Sequence, residues 1–298
     1  MKNFITRALT GILFVAVIVF SIVYNPLSFG LLFFIISILT ITEFCHLMNQ
    51  REDICLNSII TPMAGGYLFL AFFMYSWGVL DGAVFIPYLL SLLYLLIAEL
   101  YLKHPNPLAN WALTMFSQLY IALPFALLCV LGIEQVPAGD LAHPNSFVPI
   151  YVWLYPLSVF VFIWASDTGA YLVGSLLHNV FPAKLFPRIS PKKSWVGSIG
   201  GGVIAVLLAV LIWWCTRTMG ILGTQSDMEI YEWIGFALVV TVFGTWGDLV
   251  ESLMKRHLGI KDSGSILPGH GGMLDRFDST LLAVPASVIY LYAIQMLH

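Results

Sequence analysis

Between Gly247 and Ser279 the chain gathers five acidic and four basic side chains around a glycine-rich turn, although only 10% of its residues are charged. On a helix, Asp248, Ser252 and Lys255 would stand at i, i+4 and i+7 and so share one face, setting an anion, a hydroxyl and a cation in a row. Asp275 and Asp278 follow Pro268-Gly269-His270-Gly271-Gly272, a turn whose backbone can come close to a ligand because glycine has no Cβ. Separated carboxylates of this kind suit Mg²⁺, a hard cation held by one or two carboxylates together with substrate phosphates. Lys255, Arg256, Lys261 and Arg276 could then neutralise phosphate oxygens, the arginines in bidentate fashion. Taken singly, each charge could instead be an ion-pair partner or topology anchor beside a helix. The aligned Asp248 face and the glycine turn together favour a site.

A second group lies upstream. Ala165-Ser166-Asp167-Thr168-Gly169-Ala170-Tyr171 stands at the expected inner end of a helix, and Ser190-Pro191-Lys192-Lys193-Ser194-Trp195 precedes a helix expected to begin near Val196. Asp167 could meet a metal-bound ligand or a sugar hydroxyl, or simply end its helix. Ser190, Lys192, Lys193 and Ser194 offer hydroxyls and cations where a helix N-terminus would favour phosphate, or a basic stop that binds anionic headgroups. His270, between glycines, suits turn or phosphate hydrogen bonding better than proton abstraction, because an anionic nucleophile needs positioning and charge neutralisation above all. Glu43 and Glu99, near inner helix ends, are secondary candidates.

These groups must be carried by membrane helices. Hydrophobic residues make up 59% of the 298-residue chain and the mean hydropathy is +0.90, far above a soluble domain. Ionisable groups at membrane depth cost about 2.5–3.5 kcal/mol each on insertion scales, so those that are present mark function. Spans need about 20 apolar residues, and the expected segments are 7–24, 27–48, 58–79, 83–102, 111–132, 148–167, 197–215, 233–255 and 279–297. The expected fold is therefore an all-α polytopic membrane protein with about nine transmembrane helices. It forms one domain over 1–298, with N-terminal helices 1–5 in 1–132 and a catalytic half of helices 6–9 in 148–298. A cytoplasmic N-terminus places every Lys and Arg except Arg217 on the inner side, in accord with the positive-inside rule, and sets the C-terminus on the opposite side. The apolar stretch after Lys2 and Arg7 reads as the first span, since no small-residue cleavage site follows it. A net charge of −3 with no basic patch argues against nucleic acid as a partner. Cys45, Cys55, Cys129 and Cys215 lack metal-ligand or redox spacing.

The C-terminal residues resemble the signature of the phosphatidate cytidylyltransferases, or CDP-diacylglycerol synthases: Ser-x-x-Lys-Arg, then Lys-Asp-Ser, then Pro-Gly-His-Gly-Gly-x-x-Asp-Arg-x-Asp. It is present here as Ser252, Lys255, Arg256, Lys261, Asp262, Ser263, Pro268 to Gly272, Asp275, Arg276 and Asp278. Ser166 to Tyr171 and Ser190 to Trp195 extend the resemblance over roughly the C-terminal half. Two departures stand out: Val196 replaces a usual Glu, and Asn179-Val180-Phe181-Pro182 precedes Lys184 where a Gly-Lys pair is common.

The resemblance implies transfer of CMP from CTP to phosphatidate at the cytoplasmic face of the cell membrane, with Mg²⁺ held by Asp248 and Asp275, a second monovalent ion (K⁺) beside it, and a homodimeric enzyme. Lys255 and Arg276 would join the aspartates in catalysis. Asp167, Ser190, Lys192, Lys193, Ser194, Ser252, Arg256, Lys261, Asp262, His270, Gly271, Gly272 and Asp278 would contact substrates. Two rival readings are another CTP-dependent lipid enzyme, such as a polyprenol kinase, and a transporter, since intramembrane charges also line substrate pathways.

Overall fold

A computed structural model describes residues 2–138, 147–177, 179–219, 228–264, 266 and 271–296, with side chains from Leu9 onward. Among these residues seven helices are long and apolar enough to cross a membrane, and two shorter apolar helices, Leu9–Tyr24 and Ile60–Ser76, accompany them. The all-α, multi-pass character expected from composition is met. The chain divides into two compact units: Met1–Trp153 with Asp262–Arg276, and Leu154–Lys261 with Phe277–His298.

The first unit contains α1 (Lys2–Tyr24), α2 (Pro26–Met48), α3 (Ile60–Ser76), α4 (Ile86–Tyr101), α5 (Pro107–Ser117) and α6 (Leu123–Gly132), then β1 (Ile133–Pro137) and β2 (Phe147–Tyr151). The break between α1 and α2 is written locally. Asn25 accepts a hydrogen bond from Ser28 N at 2.8 Å while Ser28 Oγ reaches back to Asn25 N, and Pro26 opens the helix where its missing N–H costs nothing. Asn106 and Pro107 repeat the device at α5. A π-helical turn, Gln118–Ala122, joins α5 to α6, with Pro124 at the start of α6. Phe29, Phe33, Phe44, Phe69 and Phe125 are buried and form this unit's core. β1 and β2 pair antiparallel, Ile133 opposite Tyr151, and the Tyr151 hydroxyl donates to Ile22 O at 2.7 Å.

The second unit contains α7 (Leu154–Leu177), β3 (Lys184–Phe186), β4 (Ser190–Ser194), α8 (Trp195–Trp214), α9 (Ile230–His257) and most of α10 (Leu274–Gln295). α7 and α8 are the most extensively packed pair of elements in the chain. Small residues allow it: a Cβ on Gly201 would sit 2.3 Å from Ser166 O, so the two backbones meet where only glycine fits. Trp233, Phe236, Phe160, Phe162 and Phe277 fill the core, Phe160 and Phe277 edge to face at 6.2 Å.

Three boundaries differ from the sequence expectation. Residues 147–151 form a strand, so α7 starts at Leu154 and runs to Leu177; the residues after Asp167 are apolar enough to continue it. Ala165–Tyr171 therefore lies inside α7 instead of at its end. Ser190–Ser194 is a hairpin strand, paired antiparallel with Lys184–Phe186. α10 begins at Leu274, which places Asp275, Arg276 and Asp278 on the helix.

Candidate active site

Within the second unit, α7, the β3–β4 hairpin, the start of α8 and the middle of α9 enclose a cavity of ≈ 480 Å³, within the usual size range for a small-ligand site. Ser166, Asp167, Tyr171 and Ser175 line it from α7, Lys184, Lys192, Lys193 and Ser194 from the hairpin, Ser198 from α8, and Thr241 and Thr245 from α9. The hairpin delivers the lysines. Ser194 ends β4 in extended backbone and its hydroxyl accepts from Gly197 N at 3.2 Å, capping α8, so this serine serves the helix that follows it.

Lys193 Nζ lies 2.6 Å from Asp248 Oδ2 and donates to Thr245 O at 3.3 Å. Asp248 Oδ1 accepts from Ser252 Oγ at 3.0 Å. The expected row on α9 thus exists, and its upstream continuation at Thr241 and Thr245 lines the cavity. Lys255, at the end of that row, forms an ion pair with Glu251, which is fully buried one turn earlier. Asp278 Oδ1 accepts from Ser279 N at 2.6 Å, and Asp278 stands in the electrostatic field of Asp248, Lys255 and Asp167. Three carboxylates of the second unit are therefore close enough to act on one another.

In the first unit, Asp275 opens α10, where an acid complements the helix dipole. Its Oδ2 accepts from Ser263 N and from Gly272 N, both at 2.9 Å. Gly271 has φ +82°, the left-handed region, and a Cβ there would lie 2.5 Å from Asp275 Oδ2. The glycine turn thus makes room for the protein's own carboxylate.

Of the other expected residues, Asp167 and Lys192 are exposed and face the cavity, and Ser190 is half-buried at the start of β4. Arg256 is exposed and its Nε donates to Ile189 O at 3.4 Å, bracing the hairpin turn. Lys261, Asp262 and Arg276 are exposed, and His270, with Pro268 and Gly269, lies outside the described residues. Sequence reasoning passed over Thr241 and Thr245, named Tyr171 in its motif without a role, and treated Glu251 only as one charge among several. The two threonines carried a readable signal, since Thr241, Thr245, Asp248 and Ser252 repeat at spacings of four, three and four.

Asp167, Asp248 and Asp278 have the donor chemistry of a hard-cation site. Among the described residues no three His, Cys, Asp or Glu side chains form a ready-made metal group. A Mg²⁺ ion here would complete its shell with substrate and water oxygens, its usual habit. The donor set fits on those terms.

Comparison with known proteins agrees with this chemistry. The group described as "Cytidylyltransferase family" matches residues 5–294. A phosphatidate cytidylyltransferase of Haemophilus influenzae is 31% identical over 289 residues, covering 94% of this chain and 95% of that protein. One of Bacillus subtilis is 32% identical over 281 residues, with 94% of each covered. One of Staphylococcus aureus is 42% identical over 131 residues, 44% of this chain and 46% of the relative. With the match running nearly end to end, this chain belongs to the cytidylyltransferase family and is a nucleotidyltransferase.

Proposed function

We propose that the protein transfers CMP from CTP to phosphatidate, forming CDP-diacylglycerol and releasing pyrophosphate. The observation that carries this reading is the cavity lined by Lys184, Lys192 and Lys193, the last ion-paired to Asp248, in a chain similar over 94% of its length to phosphatidate cytidylyltransferases. A phosphate oxygen of phosphatidate attacks the α-phosphorus of CTP in line, the bond to the bridging oxygen of the β-phosphate breaks, and pyrophosphate leaves. The nucleophile is already anionic, so the side chains position and neutralise instead of abstracting a proton. Lys192, Lys193, Lys255, Arg256 and Arg276 oppose the phosphate charges, while Ser190, Ser194 and Ser252 supply hydroxyls. Asp248 keeps Lys193 poised until phosphate oxygens compete for the ammonium. Mg²⁺, when bound, would supply charge neutralisation at the leaving group; Asp248 and Asp275 are its proposed carboxylate ligands, Asp167 and Asp278 are further oxygen donors proposed on the Asp248 side, and K⁺ is a proposed companion.

The proposed setting is the cytoplasmic membrane, with nine spans, the N-terminus and the site on the cytoplasmic side, and a homodimeric enzyme. The near-complete confinement of Lys and Arg to one set of loops supports the orientation. It suits a reaction that takes CTP from water and phosphatidate from the leaflet.

The test is an assay of purified protein with CTP labelled in its α-phosphate, phosphatidate and Mg²⁺, following lipid-soluble label and pyrophosphate. Label in CDP-diacylglycerol with one pyrophosphate per lipid product is expected. CDP with a phosphorylated lipid would show a kinase, and movement of substrate into sealed vesicles without chemical change would show a transporter.

A further inference from the structure

We propose that Glu43, on α2, is a positioning residue that holds the loop leading into Asp275 at the start of α10. The inference rests on the reading above for its catalytic consequence and on geometry for everything else. Glu43 is 6% exposed, and a buried carboxylate is costly unless donors surround it. Among the described residues, the donors it meets all lie between Ser263 and Leu274. Oε1 accepts from the Ser263 hydroxyl and from Leu274 N at 3.1 Å, and Oε2 accepts from Met273 N at 2.8 Å. Two of these are backbone groups at the start of α10, which have no intrahelical acceptor and would otherwise be orphaned.

The loop is shaped around this carboxylate. A Cβ on Gly272 would lie 1.9 Å from Glu43 Oε1, and one on Gly264 would lie 2.7 Å from Glu43 Cδ. Both glycines leave room for a side chain more than two hundred positions away in the chain. Ser263 links the two acids directly, giving its hydroxyl to Glu43 and its N–H to Asp275. Gly272 does the same in another form, giving its N–H to Asp275 and its missing Cβ to Glu43. Asp275 cannot shift without disturbing groups that Glu43 holds.

The experiment compares wild type, Glu43→Gln, Ser263→Ala and the double variant in detergent, by amide hydrogen exchange and by steady-state kinetics. Glu43→Gln puts an amide donor against donors. Exchange at Met273 and Leu274 should quicken while the α2–α3 core keeps its protection, and kcat should fall about 10- to 100-fold, the range for removing an outer-shell partner, with KM for CTP within about threefold of wild type. Ser263→Ala should fall less, and the double variant should be no worse than Glu43→Gln alone, because the two act as one unit. Unchanged exchange at Met273 and Leu274, additive losses, or a fall that tracks global unfolding would overturn the proposal. If Glu43→Gln does not fold, Ser263→Ala decides: quicker exchange with lower kcat supports it, and wild-type values for both refute it. Should wild type make no CDP-diacylglycerol, the proposed reaction fails on its own, and the exchange data still decide whether Glu43 holds the loop.

Discussion

The ammonium of Lys193 and the carboxylate of Asp248 meet at 2.6 Å, with their side chains 22% and 31% exposed. One comes from a hairpin strand and the other from the middle of a long apolar helix. Partial exposure leaves the pair open to exchange, as the proposed handover of Lys193 to substrate phosphate requires. Lys193→Met should lower kcat/KM for CTP about 100-fold, in line with loss of a donor aimed at developing charge. Lys193→Arg should recover part of it, since the charge is kept and the geometry altered. Lipid-soluble label from CTP measures both.

Asp248→Ala and Asp275→Ala should each abolish product, and chelation of divalent ions should silence the wild type reversibly. Ser252→Ala, which removes the hydroxyl orienting Asp248, should raise the Mg²⁺ concentration for half-maximal rate about 10-fold, the lower end of outer-shell effects. A Mg²⁺ titration of initial rate checks it.

Glu251 and Lys255 form a buried ion pair, their side chains 0% and 15% exposed. Breaking it by Glu251→Gln should destabilise the protein by about 3 kcal/mol, because one charge is left unmatched. Replacing both by leucine should restore thermal stability. If Lys255 also neutralises phosphate, that double variant stays inactive although stable, which separates its two roles in a melting curve and an assay.

Gly201 and Gly202 are neighbours with opposite expectations. A Cβ at Gly201 meets Ser166 O at 2.3 Å, whereas at Gly202 the nearest neighbour beyond its own helix is Thr241 Cγ2 at 3.8 Å. Gly201→Ala should destabilise by about 1–3 kcal/mol through overpacking and distort the cavity wall that α7 and α8 share. Gly202→Ala should be neutral or slightly stabilising, through better helix propensity. Thermal unfolding of the pair tests whether backbone contact, not glycine content, is what matters.

Gly271→Ala should cost activity more than stability. Its φ of +82° strains any side chain and its Cβ would press on Asp275 Oδ2. The expected result is a fall in kcat of about 10-fold or more with little change in melting temperature.

Much of this was legible beforehand because it depends on local pattern. Each expected apolar segment falls at least in part on a helix, and the Asp248–Ser252 contact follows from an i, i+4 spacing. Residues 147–151 misled because a short apolar run does not distinguish a strand from the start of a span. Ser190–Ser194 misled because a polar, lysine-rich run reads as loop, while its pairing partner lies at Lys184–Phe186. Glu43 was visible as an acid in an apolar helix but ranked only as a secondary candidate. Its donors lie 220 to 231 positions away, and no spacing rule spans that distance.

The membership of Asp262–Arg276 in the first compact unit, although its flanking residues belong to the second, bears on how the enzyme can be dissected. The motif-rich C-terminal half is therefore expected not to work as a detachable module. A fragment starting at Leu154 would carry every signature residue and still leave Ser263, Met273 and Leu274 without the acceptor that α2 provides. Split versions of this protein, or chimaeras that trade N-terminal helices between relatives, should therefore work only when both pieces are made together and the acid at position 43 travels with a loop built to receive it.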